Sequence, residues 1–368
     1  MRLRSLSLVD FRCYRSAEIE FGDGATVVVG ANGQGKTSLL EAAGWLAMGA
    51  SFRGVADSAL VRSGAPRAIV RGVVERGGGE QLIEVELAAT GRSRVLVGHS
   101  PLARRRDLAQ GLRVTVFSPD DLELVKGAPA LRRRYLDELL ASSSPRYEAA
   151  RADVERVLRQ RNALLRTPRL DAEARTTLDV FDDQFARAAG ELVRGRLRLA
   201  DRLLPEIRTA YVALAGAPDE VAASYEAEWA GEEPTADSDV EGMLLRALAE
   251  RRAHEIDRGT TLVGPHRDEW RLSLRGLEAR SCASQGEQRC LALALRLGGH
   301  RVVSDVVGED PVLLLDDVFS ELDPARAAAL VRNLPGGQAF LTTAGAVPDG
   351  IRVGRSLRVS AGVLEPAA

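Results

Sequence analysis

Residues 26–38 read T-V-V-V-G-A-N-G-Q-G-K-T-S: an apolar run enters Gly30-x-x-x-x-Gly35-Lys36-Thr37 and leaves into the helical L-L-E-A-A-G-W-L-A. Strand, glycine-rich loop and helix in that order make a phosphate cradle of the P-loop type. Glycines let backbone amides curl around phosphate oxygens, and the helix N-terminus adds its dipole. Gly30, Ala31, Asn32, Gly33, Gln34, Gly35, Lys36, Thr37 and Ser38 are the candidate nucleotide contacts. Lys36 supplies a compact charge for the β- and γ-phosphates, where arginine's planar fork fits poorly. Lysine occurs only twice among the 50 basic residues, at Lys36 and Lys126. Thr37 offers a hydroxyl to Mg2+.

Residues 312–323 read V-L-L-L-D-D-V-F-S-E-L-D. Four apolar residues ending in a carboxylate describe a buried parallel strand that delivers Asp316 to the edge where α/β sheets place ligands. Alone, this is equally a core strand with a capping aspartate. After a P-loop, Asp316 is expected to hold Mg2+ through water, and Asp317 to orient the attacking water. Lys36, Asp316 and Asp317 are thus the candidate catalytic set.

The two motifs lie about 280 residues apart, so something large is inserted between them. S-Q-G-E-Q-R at 284–289 opens a helix shortly before the Asp316 strand. Ser284 followed by Glu287 is a capping-box pattern. Taken alone it marks a capped helix. Between the other two motifs it reads as an S-x-G-x-Q signature, with Ser284, Gln285, Gly286, Glu287 and Gln288 facing outward toward nucleotide held by a second copy. Each site is then complete only in a two-fold dimer that sandwiches two nucleotides.

These residues resemble the ABC/SMC family of ATPases and, within it, the RecF family of DNA repair proteins. The general likeness rests on G-A-N-G-Q-G-K-T, S-Q-G-E-Q and L-L-L-D-D. The narrower one rests on L-V-D-F-R-C-Y near the start, F-S-P-D-D-L-E-L-V-K-G-A-P-A-L-R-R-R-Y-L-D at 117–137, L-V-G-P-H-R-D at 262–268 and D-D-V-F-S-E-L-D at 316–323. They span nearly the whole chain in order.

The resemblance implies an ATP-dependent homodimer that binds DNA, acts at gapped or single-strand/double-strand junction DNA, and works with RecO and RecR to load RecA in gap repair and the SOS response. It adds Arg12, Ser320, Asp323 and Thr343 to the nucleotide-contact candidates. Three departures stand out. Asp317 occupies the place where many relatives carry glutamate, one methylene longer, which is consistent with slow hydrolysis. F-S-P-D-D lacks the glutamine expected of a Q-loop. A-F-L-T-T-A has Thr342 and Thr343 where transporters often place histidine, leaving a hydroxyl as phosphate sensor.

The elements that must position this chemistry follow from periodicity. Residues 66–74, 81–87 and 92–97 alternate apolar and polar between glycine turns, as an antiparallel side sheet does. From about 120 to 257 the period becomes helical, with Val154, Val157, Leu158 and Leu165 on one face and Leu178, Phe181, Phe185, Ala188, Leu192, Leu199 and Leu203 on another. The inserted helices read as short, the longest about 28 residues or roughly 42 Å. The insert is therefore expected to be compact, not an SMC arm. Val221–Trp229 alternates as a strand, and the acidic 231–239 is a surface loop. The fold class expected is α/β: an ABC-type ATPase head with a mixed P-loop sheet and an antiparallel side sheet, interrupted by a mainly helical lobe. Head residues are 1–118, the lobe 119–257, and the returning head 258–368. His266, Arg267 and Asp268 could approach nucleotide or DNA, or form a hydrogen-bonded turn; the residues leave both open.

Composition bounds the partners. The 368 residues carry a net charge of −2, and no apolar run approaches a membrane span. The N-terminus alternates like a strand and unlike a signal peptide. Cys13, Cys282 and Cys290, odd in number and without C-x-x-C spacing, fit a reducing, cytoplasmic setting without disulfides or zinc. Candidate DNA contacts are Arg104, Arg105, Arg106, Lys126, Arg132, Arg133 and Arg134, with further arginines at 151, 156, 159, 161, 166 and 169; a solvated helix face is the competing reading of each cluster. Aromatics are 4%, so phosphate contact, not base stacking, is the expected mode. Two rival functions remain: an ABC subunit serving a non-DNA partner such as a transporter, and a nucleotide-gated scaffold that barely hydrolyses.

Overall fold

The computed structural model describes residues 1–167, 171–218 and 220–367, without the side chains of 106, 109 and 110. Arg169 and the side chain of Arg106 therefore lie outside the described residues. Two compact units are resolved: Met1–Asp121 with Ala210–Ala217 and Leu293–Ala368, and Leu122–Thr209 with Pro218–Ala292.

The first unit holds two six-stranded sheets. In one, the spatial order is Val363–Pro366, Val353–Ser360, Ala25–Val29, Ala339–Thr343, Val312–Asp316 and Val114–Phe117, parallel throughout except for the final C-terminal strand. All five residues of Val312–Asp316 are buried, as a strand covered on both faces requires. The other sheet is antiparallel and orders Tyr14–Glu20, Arg2–Phe11, Arg67–Arg76, Gly79–Ala88, Arg94–Val97 and Ser100–Pro101. Its alternating inward residues, Leu3, Leu6, Leu8, Val70, Val74, Ile83, Val85 and Leu87, are almost fully enclosed. Gly77 and Gly78, both at positive φ, make one of its two-residue hairpins.

The helix Lys36–Met48 packs against both sheets and is apolar nearly all round, with Leu39, Leu40, Ala42, Ala43, Trp45 and Leu46 at 0–1% exposure. Gln338 bonds both backbone groups of Leu3 at 2.7 Å each, satisfying polar groups that burial would otherwise orphan.

The second unit carries the helices Pro129–Ser143, Pro145–Leu165 and Val240–Arg258, most of Ala172–Ala215, and a three-stranded sheet of Val221–Glu226, Glu269–Leu274 and Leu277–Glu278. The expected apolar faces are present: Val154, Val157, Leu165, Leu178, Phe185, Leu192, Leu199 and Leu203 are buried. The expectation of short helices is corrected. Ala172–Ala215 is one helix of 44 residues, about 66 Å long at 1.5 Å per residue. Pro205 lies inside it, at an exposed position. There its ring meets solvent, and the missing amide costs one hydrogen bond. Leu203 and Ile207 on either side are fully buried, so side-chain burial carries the helix through. No helix among the described residues is long and apolar enough to cross a membrane.

Candidate nucleotide site

Parallel register builds the first half of the site. Ala339–Thr343 lies between the P-loop strand and the Asp316 strand, and Thr342 pairs directly with Asp316. The Thr342 hydroxyl donates to Asp316 Oδ1 at 2.8 Å and accepts the Asp317 amide at 3.1 Å. From the opposite side the Thr37 hydroxyl donates to the same Oδ1, also at 2.8 Å. Two residues about 280 positions apart are thereby joined at one oxygen. Burial pushes the Asp316 carboxyl above its ordinary range, reinforced by Asp317 and opposed by the two hydroxyls and by Arg53.

The loop itself is held open from beneath. Gly33 and Gly35 stand at φ +79 and +112, which L side chains rarely adopt. A Cβ on Gly35 would lie 2.5 Å from Cys13 Sγ and 2.8 Å from the Tyr14 hydroxyl. Tyr14 donates to the Gly35 carbonyl at 2.9 Å. Lys36 Nζ folds over the loop onto the Gly30 and Ala31 carbonyls, 2.8 and 3.1 Å, and onto Asn32 Oδ1 at 3.3 Å. Gln34 Oε1 accepts the Ala361 amide at 2.6 Å, so this side chain supports the loop from its own sheet. Ser38 follows in the first helical turn.

The remaining expected residues fall as follows. Asp317 sits at φ +48 with Oδ1 buried and without a hydrogen-bond partner. Ser320 donates to the Asp317 carbonyl at 2.8 Å, and Asp323 caps Pro324–Asn333 through the Arg326 amide. The Thr343 carbonyl accepts the Gly30 amide at 3.3 Å, joining the sensor strand to the P-loop. Arg12 lays its fork on Glu41 at 2.8 and 2.9 Å and reaches the Ala59 carbonyl. Its acceptor Glu41, fully buried on the P-loop helix and also bonded by Ser51, escaped the sequence reading. So did Tyr14 and Arg53: Tyr14 closes the L-V-D-F-R-C-Y stretch, yet nothing in that stretch shows that its hydroxyl meets Gly35. In the region that lacks a Q-loop glutamine, the buried Asp121 accepts the Ser118 amide and the Arg296 guanidinium.

The signature lies in the second unit. Ser284 and Gln285 are exposed, and Gly286 and Glu287 half-buried. Glu287 accepts the Ser284 amide at 2.7 Å while the Glu287 amide bonds Ser284 Oγ at 3.3 Å, the reciprocal capping box. Gln288 is buried and donates to the Ala279 and Arg280 carbonyls, so it secures the turn before the helix.

The basic candidates divide. Arg132 as a DNA contact is corrected: it is 5% exposed, with its fork on Glu269 and its third nitrogen on the Leu124, Val125 and Gly127 carbonyls. Arg161, fully enclosed by Asp182, Glu255 and Thr261, is likewise structural. Arg105 lies over Trp45 and pairs with Asp57, and Arg133 donates to the Asp268 carbonyl. Arg134 pairs with Glu138, Arg151 with Glu148 and Glu155, and Arg156 with Asp153. Arg104, Arg159 and Arg166 are exposed and Lys126 half-buried. In the 264–268 loop Asp268 is buried, accepting from Tyr225 and from Trp229 Nε1, and Arg196 braces the Pro265 carbonyl. Asp268 thus makes a hydrogen-bonded turn that leaves Arg267 exposed.

Two sheets around a P-loop helix, a buried carboxylate strand beside the sensor strand and a capped signature helix define an ABC-type ATPase head of the SMC class. The Smc head domain of Pyrococcus furiosus shares this fold, with a TM-score of 0.56 at 16% identity over 99% of this chain and 95% of that one. The sequence matches the RecF/RecN/SMC N-terminal domain over residues 2–342. The chain belongs to the RecF family: it is 44% identical over 373 residues to the DNA replication and repair protein RecF of Streptomyces avermitilis, covering 99% of this chain and 100% of the relative. A solved structure of the recombination mediator protein RecF-ATP in the RecFOR pathway superposes with a TM-score of 0.92 at 27% identity, covering 100% and 97%.

Proposed function

We propose that this chain is an ATP-dependent DNA clamp that dimerises on binding Mg-ATP, hydrolyses it slowly, and acts in recombinational repair of gapped DNA. The observation that carries the reading is the convergence of the Thr37 and Thr342 hydroxyls on one oxygen of Asp316, beside the Lys36 loop. A hydroxyl and a buried carboxylate are hard oxygen donors that fit Mg2+ and leave positions for water and phosphate. Thr37 and Asp316 would hold the ion, which neutralises charge developing on the phosphates.

The chain's own residues do the rest. Lys36 leaves its carbonyl partners for the phosphates. Asp317 has one buried oxygen with no hydrogen-bond partner, on a residue in the left-handed backbone region. It accepts a hydrogen bond from the attacking water and so orients it. Ser284 belongs to a different unit and faces solvent, which favours closure by a second copy. The likeness to a DNA replication and repair protein RecF and to a recombination mediator of the RecFOR pathway supports DNA repair as the setting; on this proposal RecO and RecR are the partners, RecA is the recombinase loaded at single-strand/double-strand junctions, and the nucleoid-associated cytoplasm is the location. Phosphate contact makes DNA affinity sequence-independent and salt-sensitive. Family membership sets aside the transporter reading.

Sedimentation velocity of the protein alone, with Mg-ATP, and with Mg-ATP and Ser284→Arg tests the proposal. A monomer that dimerises only with ATP, and fails to with Ser284→Arg, is expected. A mass indifferent to ATP would reduce the signature to a helix cap.

A further inference from the structure

The capping box places a carboxylate at the mouth of the helix that, on the proposed function, receives a partner copy's γ-phosphate. Glu287 Oε2 is spent on the Ser284 amide, yet its charge remains, held ionised by the hydrogen bonds from Ser284 and Arg275. An anion there opposes a triphosphate. The helix dipole and the Gln285 and Gly286 amides, which helix geometry leaves without intrahelical acceptors, must work against it.

Arg275 answers this charge. Its Nη2 lies 2.8 Å from Glu287 Oε1. It reaches there from the tip of the hairpin between Glu269–Leu274 and Leu277–Glu278, where Arg275 and Gly276 stand at φ +52 and +75. Positive φ at both central residues is the I′ hairpin turn, whose own chemistry asks for Asn-Gly. An arginine is a poor turn former at that first position. Its presence there makes sense through its side chain, which is half-exposed and ends on the signature helix. Such a mismatch between backbone and residue type points to function.

We propose that Arg275 is a positioning residue of the signature: it cancels the Glu287 charge so that the helix mouth accepts a phosphate, while leaving the capping box that aims Ser284 intact. With Ser284 Oγ accepting the Glu287 amide, its hydroxyl proton is free to be donated outward. The inference rests on the signature facing nucleotide.

The test uses the full chain and Mg-ATP, reading the ATP concentration for half-maximal dimerisation by sedimentation velocity. Arg275→Asn suits the turn better than arginine, so the hairpin keeps its shape while the guanidinium and its charge are lost. Glu287→Gln retains the capping box. Arg275→Asn is expected to need on the order of tenfold more ATP, the scale of one charge near a partly exposed anion. Glu287→Gln, which leaves the Arg275 charge unopposed at the helix mouth, is expected to need less ATP than wild type, and adding it to Arg275→Asn is expected to bring the requirement back toward the wild-type value. A double variant as weak as Arg275→Asn would make the arginine a hairpin anchor and overturn the proposal. Arg275→Asn behaving as wild type while Ser284→Arg abolishes dimerisation would overturn it too, with the signature reading intact. If Ser284→Arg is also without effect, the signature reading falls and the inference with it.

Discussion

Asp316 is the residue on which the site turns, and its environment is adverse to its charge. Burial raises its carboxyl above the ordinary value of 3.8, so the folded state holds a proton there more tightly than the unfolded chain does. Stability therefore falls as pH rises above that ordinary value and stays reduced at neutrality. Asp316→Asn keeps an oxygen for Thr37 and Thr342 and removes the charge. In metal- and nucleotide-free protein at pH 7.5 it is expected to stabilise by about 1 kcal/mol, raising the melting temperature by roughly 2 °C. The same variant should lose Mg-dependent hydrolysis. A melting temperature lowered by the substitution would show that the carboxylate is not strained in the resting site.

At the scale of elements, buried arginines are the cement of the second unit. Arg161 on Pro145–Leu165 reaches Asp182 on Ala172–Ala215, Glu255 on Val240–Arg258 and Thr261 beyond it, at 2.6–2.8 Å. Removing one member of a buried ion network leaves the others uncompensated, at about 3–5 kcal/mol. Arg161→Met is accordingly expected to lower the urea midpoint strongly, and a loss under about 1 kcal/mol would contradict the assignment. Arg132 stands in the same position against Glu269. In both, an arginine run on an amphipathic helix suggested a DNA face, and only packing decided which member of the run points inward. The long helix teaches a similar lesson: a proline removes one helical hydrogen bond, and the burial of Leu203 and Ile207 carries the helix past Pro205.

Over the whole molecule, two histidines set the acid response. His300, bonded to Thr115, and His266, packed on Phe185, are both pushed down to about 4, chiefly by burial. The folded state resists protonating them while the unfolded chain, near 6.5, does not. Their contribution is complete above the unfolded value and is lost as pH falls from about 6.5 toward 4. Each contributes on the order of 2 kcal/mol at the acid end. The raised carboxyls of Asp121 and Asp268 act in the opposite sense. His300→Gln is thus expected to flatten the stability profile between pH 6.5 and 4 relative to wild type, in urea titrations at fixed pH. A profile parallel to wild type would remove His300 from the acid response.

Residue types at fixed local spacing were enough, in the sequence by itself, to determine the phosphate loop, the carboxylate strand, the capped signature and the alternating side sheet. Each is a device whose physics is confined to a few consecutive residues: positive φ at glycine, a period of two, a cap three residues from its partner. Tertiary structure alone decided what meets what across long separations. It set Thr342 beside Asp316 through strand register, Tyr14 beneath Gly35, Arg12 against Glu41 and Arg275 against Glu287. It also turned Arg132 and Arg161 inward and carried a helix through Pro205. Those outcomes depend on which groups burial would leave without a partner, a property of the packed chain that no short stretch of it contains.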